Sequence, residues 1–155
     1  MELYNRRNLY LHQQIGYHTQ VPKTWEVTEL CQQVFKSCNN FIFDMLDEGF
    51  YSDGPRYFQS KLIKENPEDW QISIFTTFGN AYQEVKENKS PIFFKDKFFV
   101  AAQDYQRLAV EELDDYYDQL ITKYGKEIAQ RTTLYHMLFI KENRLMVDVY
   151  SEVCA

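Results

Sequence analysis

Lys95-Asp96-Lys97-Phe98-Phe99-Val100-Ala101-Ala102-Gln103-Asp104-Tyr105-Gln106-Arg107-Leu108-Ala109, with the run from Val110 to Gly125 behind it, sets the expected architecture. Phe98, Ala101, Ala102, Tyr105, Leu108, Ala109, Leu113, Tyr116 and Leu120 recur every three or four positions. That spacing puts them on one side of an α-helix. It predicts a single helix from Lys95 to Tyr124, ended by Gly125. A helix of that length needs neighbours of similar length, so the pattern points to a bundle or a helical hairpin.

The upstream sequence supplies such neighbours. From Trp25 to Leu46 the apolar set is Val27, Leu30, Cys31, Val34, Phe35, Cys38, Phe41, Ile42, Met45 and Leu46. It forms one stripe, and Gly49 follows as a stop. Asn66-Pro67-Glu68-Asp69 offers an N-cap, a proline suited to the first turn, and two acids for the positive end of a helix dipole. Trp70, Ile74, Phe78, Ala81, Tyr82 and Val85 then predict another helix, stopped at Asn88-Lys89-Ser90-Pro91. A shorter helix is expected over Arg56 to Glu65. Downstream, Thr132–Ile140 and Leu145–Ser151 flank Lys141-Glu142-Asn143-Arg144, which predicts a β-hairpin. Asn8–Gln13 is a candidate third strand for it, and a helix from Lys126 to about Lys141 is the alternative. The expected fold is therefore α+β and predominantly helical. Three long amphipathic helices pack as a bundle with a small C-terminal β-hairpin, and an all-α fold is the alternative.

At 155 residues the chain fits one domain, 1–155, with no repeat or linker visible. A surplus of rings, 12 Tyr and 12 Phe, exceeds what a core of this size requires and leaves some for a binding surface. The net charge of −6 disfavours direct nucleic-acid binding and suits a partner with a basic surface, or simply solubility. Three cysteines, no apolar leader at Met1–Arg7 and no long apolar run point to the reducing cytoplasm and away from a membrane.

The acid is concentrated. Between Asp104 and Asp118 stand six acids and one base, Arg107. Glu111, Glu112, Asp114, Asp115 and Asp118, with Tyr116 and Tyr117, are the candidate partner-binding residues, because tyrosines at an interface give contact area plus a hydroxyl. A solvated face of ordinary surface acids is the plainer alternative. Glu84, Glu87, Glu112 and Asp115 form two acid pairs at three-residue spacing, a pattern that can hold Mg²⁺ from facing helices. It resembles the ExxE…ExxD signature of the all-α nucleotide pyrophosphohydrolases of the MazG and dimeric dUTPase type. That resemblance implies a metal-dependent hydrolysis of nucleoside triphosphates at those four carboxylates.

Other chemistry is weakly marked. Cys31 and Cys38 are seven apart, about 10.5 Å along a helix, too far for a tight zinc site, and read as core thiols. His12, His18 and His136 are scattered, and no nucleophile motif or phosphate-binding glycine loop is visible. Lys86, Lys89, Lys95 and Lys97 interleave with Phe93, Phe94, Phe98 and Phe99, a single-strand-binding pattern that reads more simply as a helix start entering the core. No cofactor is expected. The leading expectation is an acidic interaction protein that binds and inhibits a basic, possibly nucleic-acid-binding, partner. In size and character it resembles the small acidic inhibitors of phages, mobile elements and toxin–immunity systems. The hydrolase and a non-catalytic subunit of a larger assembly are the alternatives.

Overall fold

The computed structural model describes residues 6–22, 24–47, 52, 54–62, 70–77 and 92–153. Seven strands form one antiparallel sheet: β1 (Arg7–Val21), β2 (Arg56–Lys61), β3 (Trp70–Thr77), β4 (Ile92–Ala102), β5 (Asp104–Ala109), β6 (Thr133–Lys141) and β7 (Arg144–Glu152). Their order across the sheet is β4-β1-β3-β2-β6-β7-β5. Helix α1 spans Val27–Asp47. A 3₁₀ turn at Val110–Glu112 leads into α2 (Leu113–Tyr124), followed by the short α3 (Lys126–Arg131). The expected helical bundle is thus overturned: the fold is mostly sheet, curled into a half-barrel with helices on one face.

Each misread element has a physical cause. In β3, Trp70 and Ile74 are four apart, a spacing that suits a helix and an alternating strand equally. This strand is buried on both faces, with Ile72 and Ile74 towards the helices and Phe75 away from them, so it shows no polar alternation. Arg56–Lys61 is strand β2 where a short helix was expected, and residues 63–69 and 78–91 lie outside the described set. The stretch from Lys95 to Tyr124 is two strands, a 3₁₀ turn and a helix. At Gln103 the chain kinks and the alternation changes phase. Phe98, Val100 and Ala102 before the kink and Tyr105 after it therefore share one face. Two strands of period two, offset by one residue, reproduce the i, i+4, i+7 spacing of a helix.

Helix α1 lies where its stripe puts it, burying Leu30, Cys31, Val34, Cys38 and Met45. The C-terminal hairpin is present, turned at Glu142 and Asn143 with φ of 53° and 62°, the left-handed pair a tight two-residue turn needs. Its outer neighbours are β5 beside β7 and β2 beside β6, whereas β1 pairs with β3 and β4.

A repeat absent from the residues is present in the topology. Strand β1, α1, β2 and β3 form a β-α-β-β unit, and β5, α2, β6 and β7 form another. The orders 1-3-2 and 6-7-5 meet at β2 and β6, which pair from Arg56–Leu138 to Lys61–Thr133. Both helices cover the same face, where the main core joins α1 and α2 to β2, β3, β6 and β7.

That core contains a small polar network. His136 is fully buried, its ring stacked on Phe58 at 4.0 Å. Nδ1 lies 3.2 Å from the Phe58 carbonyl oxygen and donates to it, which leaves Nε2 to accept from the Tyr117 hydroxyl at 2.7 Å. Burial pushes the His136 pKa down to about 3. The unfolded chain takes up this proton near the ordinary histidine value of 6.5, and the folded chain does so only near 3. Stability from this residue is thus whole above pH 6.5 and declines as pH falls through that window. Urea midpoints from pH 7.5 to 5 should fall for the native chain and fall less steeply for His136→Gln.

Candidate functional site

The face of the sheet away from α1 and α2 is the candidate site. Backbone register sets its side chains in rows across the strands. One row runs His18, Ser73, Gln59, Tyr135, Tyr150 and Tyr105. The next runs Gly16, Phe75, Tyr57, Met137, Asp148 and Arg107. A third joins Gln20 to Gln71 and Lys61 to Thr133 and Glu152.

Much of this face is closed by the molecule itself. Gln13 has φ of 52°, and the alternation of β1 shifts there, so that Leu9 and Leu11 point to the same side as His18 and Gly16. Strand β4 follows β1 and curls far enough to approach β7. Leu9, Leu11, Phe98, Val100 and Ala102 thereby pack on Tyr57, Phe75, Tyr105, Tyr135 and Tyr150. Tyr57 stacks on Phe75 at 4.9 Å, and the Phe98 ring meets Tyr135 at 5.3 Å. Gly16 lets β1 lie close against β3: a Cβ there would stand 2.0 Å from the Ile74 carbonyl oxygen. Burial pushes the Tyr135 hydroxyl up to about 12, with the Glu152 carboxylate adding to it, and raises Tyr57 further.

One carboxylate is buried among these rings. Asp148, 1% exposed, accepts from Arg107 Nε at 2.8 Å and Nη2 at 2.9 Å. The guanidinium also covers the Phe139 ring, and Arg7 covers Tyr105 in the same way.

A cleft of about 520 Å³ is lined by His18, Gln20, Gln59, Lys61, Gln71 and Ser73, among others. His18 Nδ1 lies 2.7 Å from Ser73 Oγ. Lys61 Nζ donates to Thr133 Oγ1 at 2.7 Å and to the Arg131 carbonyl at 3.2 Å. The cleft adjoins the aromatic cluster through the Gln59–Tyr135 pair.

The residues expected from sequence lie elsewhere. Glu111, Glu112, Asp114, Asp115 and Asp118 are all exposed at the start of α2 and on its outer side. Glu111 reaches Arg144 at 3.7 Å, and Glu112 accepts from the Ala109 backbone N–H. Tyr116 and Tyr117 turn the other way and are fully buried, Tyr116 bonding to Ser151. Helical periodicity alone separates these two sets: positions 113, 116, 117 and 120 are one face. Glu84 and Glu87 lie outside the described residues, so only Glu112 and Asp115 of the four-carboxylate pattern are placed. The all-α scaffold implied by that resemblance is not this fold. Cys31 and Cys38 sit in the core, where burial raises both thiols, Cys38 to about 12. Among the described residues no cluster of three or more His, Cys, Asp or Glu could hold a metal ion, and no helix is long and apolar enough to cross a membrane.

The class defined by this geometry is a helix-backed, curled antiparallel sheet made of two β-α-β-β units. No family model matches the chain, and no curated protein is similar to it in sequence. Among solved structures it is similar to SAV2435 bound to tetraphenylphosphonium, with a TM-score of 0.57 at 7% identity, over 100% of this chain and 95% of that one. At that identity the likeness establishes the fold alone.

The Arg107–Asp148 pair invites a direct test. Removing a partner from a fully buried pair costs about 3–5 kcal/mol. Arg107 is half exposed, so water moderates the loss. Arg107→Met should lower unfolding stability by roughly 2 kcal/mol in urea titration, and adding Asp148→Asn should restore part of it.

Proposed function

We propose that this chain is a binding module whose sheet face turned away from α1 and α2 accepts a small organic molecule. The observation that carries this reading is the open cleft of about 520 Å³ against the aromatic cluster. Its size suits a small ligand, and its lining of amides, hydroxyls, a lysine and a histidine, with Ile72 as its apolar side chain, supplies convergent hydrogen-bonding groups that would orient one. A similar fold in SAV2435 has been solved with tetraphenylphosphonium bound, which supports a small molecule as the class of ligand. Binding is favoured over turnover by the character of the groups. The cleft offers amides, hydroxyls, a lysine and a histidine already engaged with Ser73. The two described thiols are buried and held protonated, the reverse of an activated nucleophile.

Nuclear magnetic resonance with a fragment set balanced in charge tests the reading. Backbone shifts should gather at Gln59, Lys61, Ser73 and Thr133. Gln59→Leu with Ser73→Val should weaken the best binder about tenfold or more, a loss of about 1.4 kcal/mol, with the rest of the spectrum unchanged. Failure of every fragment to shift these residues would remove the cleft as a binding site.

A second reading is favoured by one observation. All five carboxylates of the α2 segment are exposed, which supports a contact with a basic protein, as an inhibitor or an assembly subunit would make. The two buried tyrosines take no part in it. Affinity capture with Glu111, Asp114, Asp115 and Asp118 changed to Gln or Asn should then lose a partner that the native chain retains. Equal capture by both would count against it.

A further inference from the structure

We infer that the ligand of the cleft carries an anionic group, a carboxylate or a phosphate, seated against Lys61. The inference rests on the binding reading above and adds the charge of the ligand. Lys61 is an exposed ammonium at the cleft rim. Its position is fixed by two neutral acceptors, Thr133 Oγ1 and the Arg131 carbonyl at the end of α3. An ammonium has three donors, so these two bonds leave one for a ligand. Among the described residues no carboxylate stands within ion-pair distance of it. Glu152, in the same row, lies two strands away across Thr133, about 9–10 Å from backbone to backbone at the usual strand spacing. The buried acid of this face, Asp148, is paired with Arg107. Among the described residues the cleft therefore presents a positive charge without a counter-charge in ion-pair contact.

The neighbours of Lys61 extend the match. The Gln20, Gln59 and Gln71 amides line the cleft, and each offers both a donor and an acceptor. Gln59 sits beside Tyr135, where the polar cleft meets the rings. An anion at Lys61, a hydrogen-bonding body over the amides and an apolar end towards Tyr135 fit these groups together. A lipophilic cation does not fit the same place, because its charge would face the ammonium. The site thus differs in sign from one suited to tetraphenylphosphonium.

The experiment uses the intact chain and fragments of matched shape in three charge forms. Indole-3-acetate, indole-3-acetamide and tryptamine make one such set, and tetraphenylphosphonium is added as a lipophilic cation. Residue-resolved titration reports both affinity and place. Anionic members should bind at Gln59, Lys61 and Thr133 at least tenfold more tightly than their neutral and cationic counterparts. Raising salt should weaken them, Lys61→Gln should abolish the preference, and Lys61→Arg should keep most of it. Cleft binding by neutral or cationic members at equal or better affinity, unchanged in Lys61→Gln, would overturn the inference and leave the binding reading intact. No cleft binding by any member of the full set would remove both.

Discussion

Everything in this molecule depends on the ladder between β2 and β6. These two strands are the inner edges of two β-α-β-β units, and their six paired positions turn two three-stranded pieces into one sheet. Neither piece alone is a comfortable structure, since a small sheet with one helix leaves strand edges and apolar surface uncovered. The ladder is secured from the helix side. Phe58 on β2 and His136 on β6 are register partners, stacked on each other, and His136 in turn is held by Tyr117 of α2. Strand pairing, ring stacking and one buried hydrogen-bonded pair thus act at the same point, where the two units meet. A neutral histidine suits that point, because both ring nitrogens find a partner and no charge is buried.

The two faces of the sheet then take different parts. The helix side is filled by α1 and α2 and forms the main core. Among the described residues the other side has no helix, and its apolar surface is covered by the sheet's own outer strands. The left-handed Gln13 and the curl of β4 bring Leu9, Leu11 and Phe98 over the central tyrosines. This cover stops short at one end, where polar side chains replace rings. The cleft exists because the covering ribbon does not reach the Lys61 end of the central strands.

Part of this was legible in the residues. Helix α1 is covered on one side only, so its stripe is clean and its length follows from it. The hairpin of β6 and β7 announces itself through Val147 and Val149 alternating with Asp148 and Tyr150, and through Glu142-Asn143 at the turn. The central strands were not legible. Residues buried on both faces lose polar alternation, and spacing of four is shared by helix and strand. The phase change at Gln103 completed the disguise. The paired topology left no mark because it repeats an arrangement and not a sequence. The cleft is harder still. His18, Gln59, Lys61, Ser73 and Thr133 come from four strands, and only long-range pairing assembles them. The one local hint is His18 and Gln20 alternating with Thr19 and Val21 in β1. Acid density, by contrast, is easy to see in a sequence and marks only the outer side of α2.

The sulfur atoms of α1 have a consequence for how the molecule can be watched. Cys31 and Cys38 both have no exposed surface, and their protons are held by an apolar setting. Alkylating reagents and oxidants need the thiolate and a path to it. Reaction at either position therefore waits for α1 to lift from the sheet. Two reporters two turns apart on one helix are already built into the chain. The rates at which they react would time the opening of the helix layer.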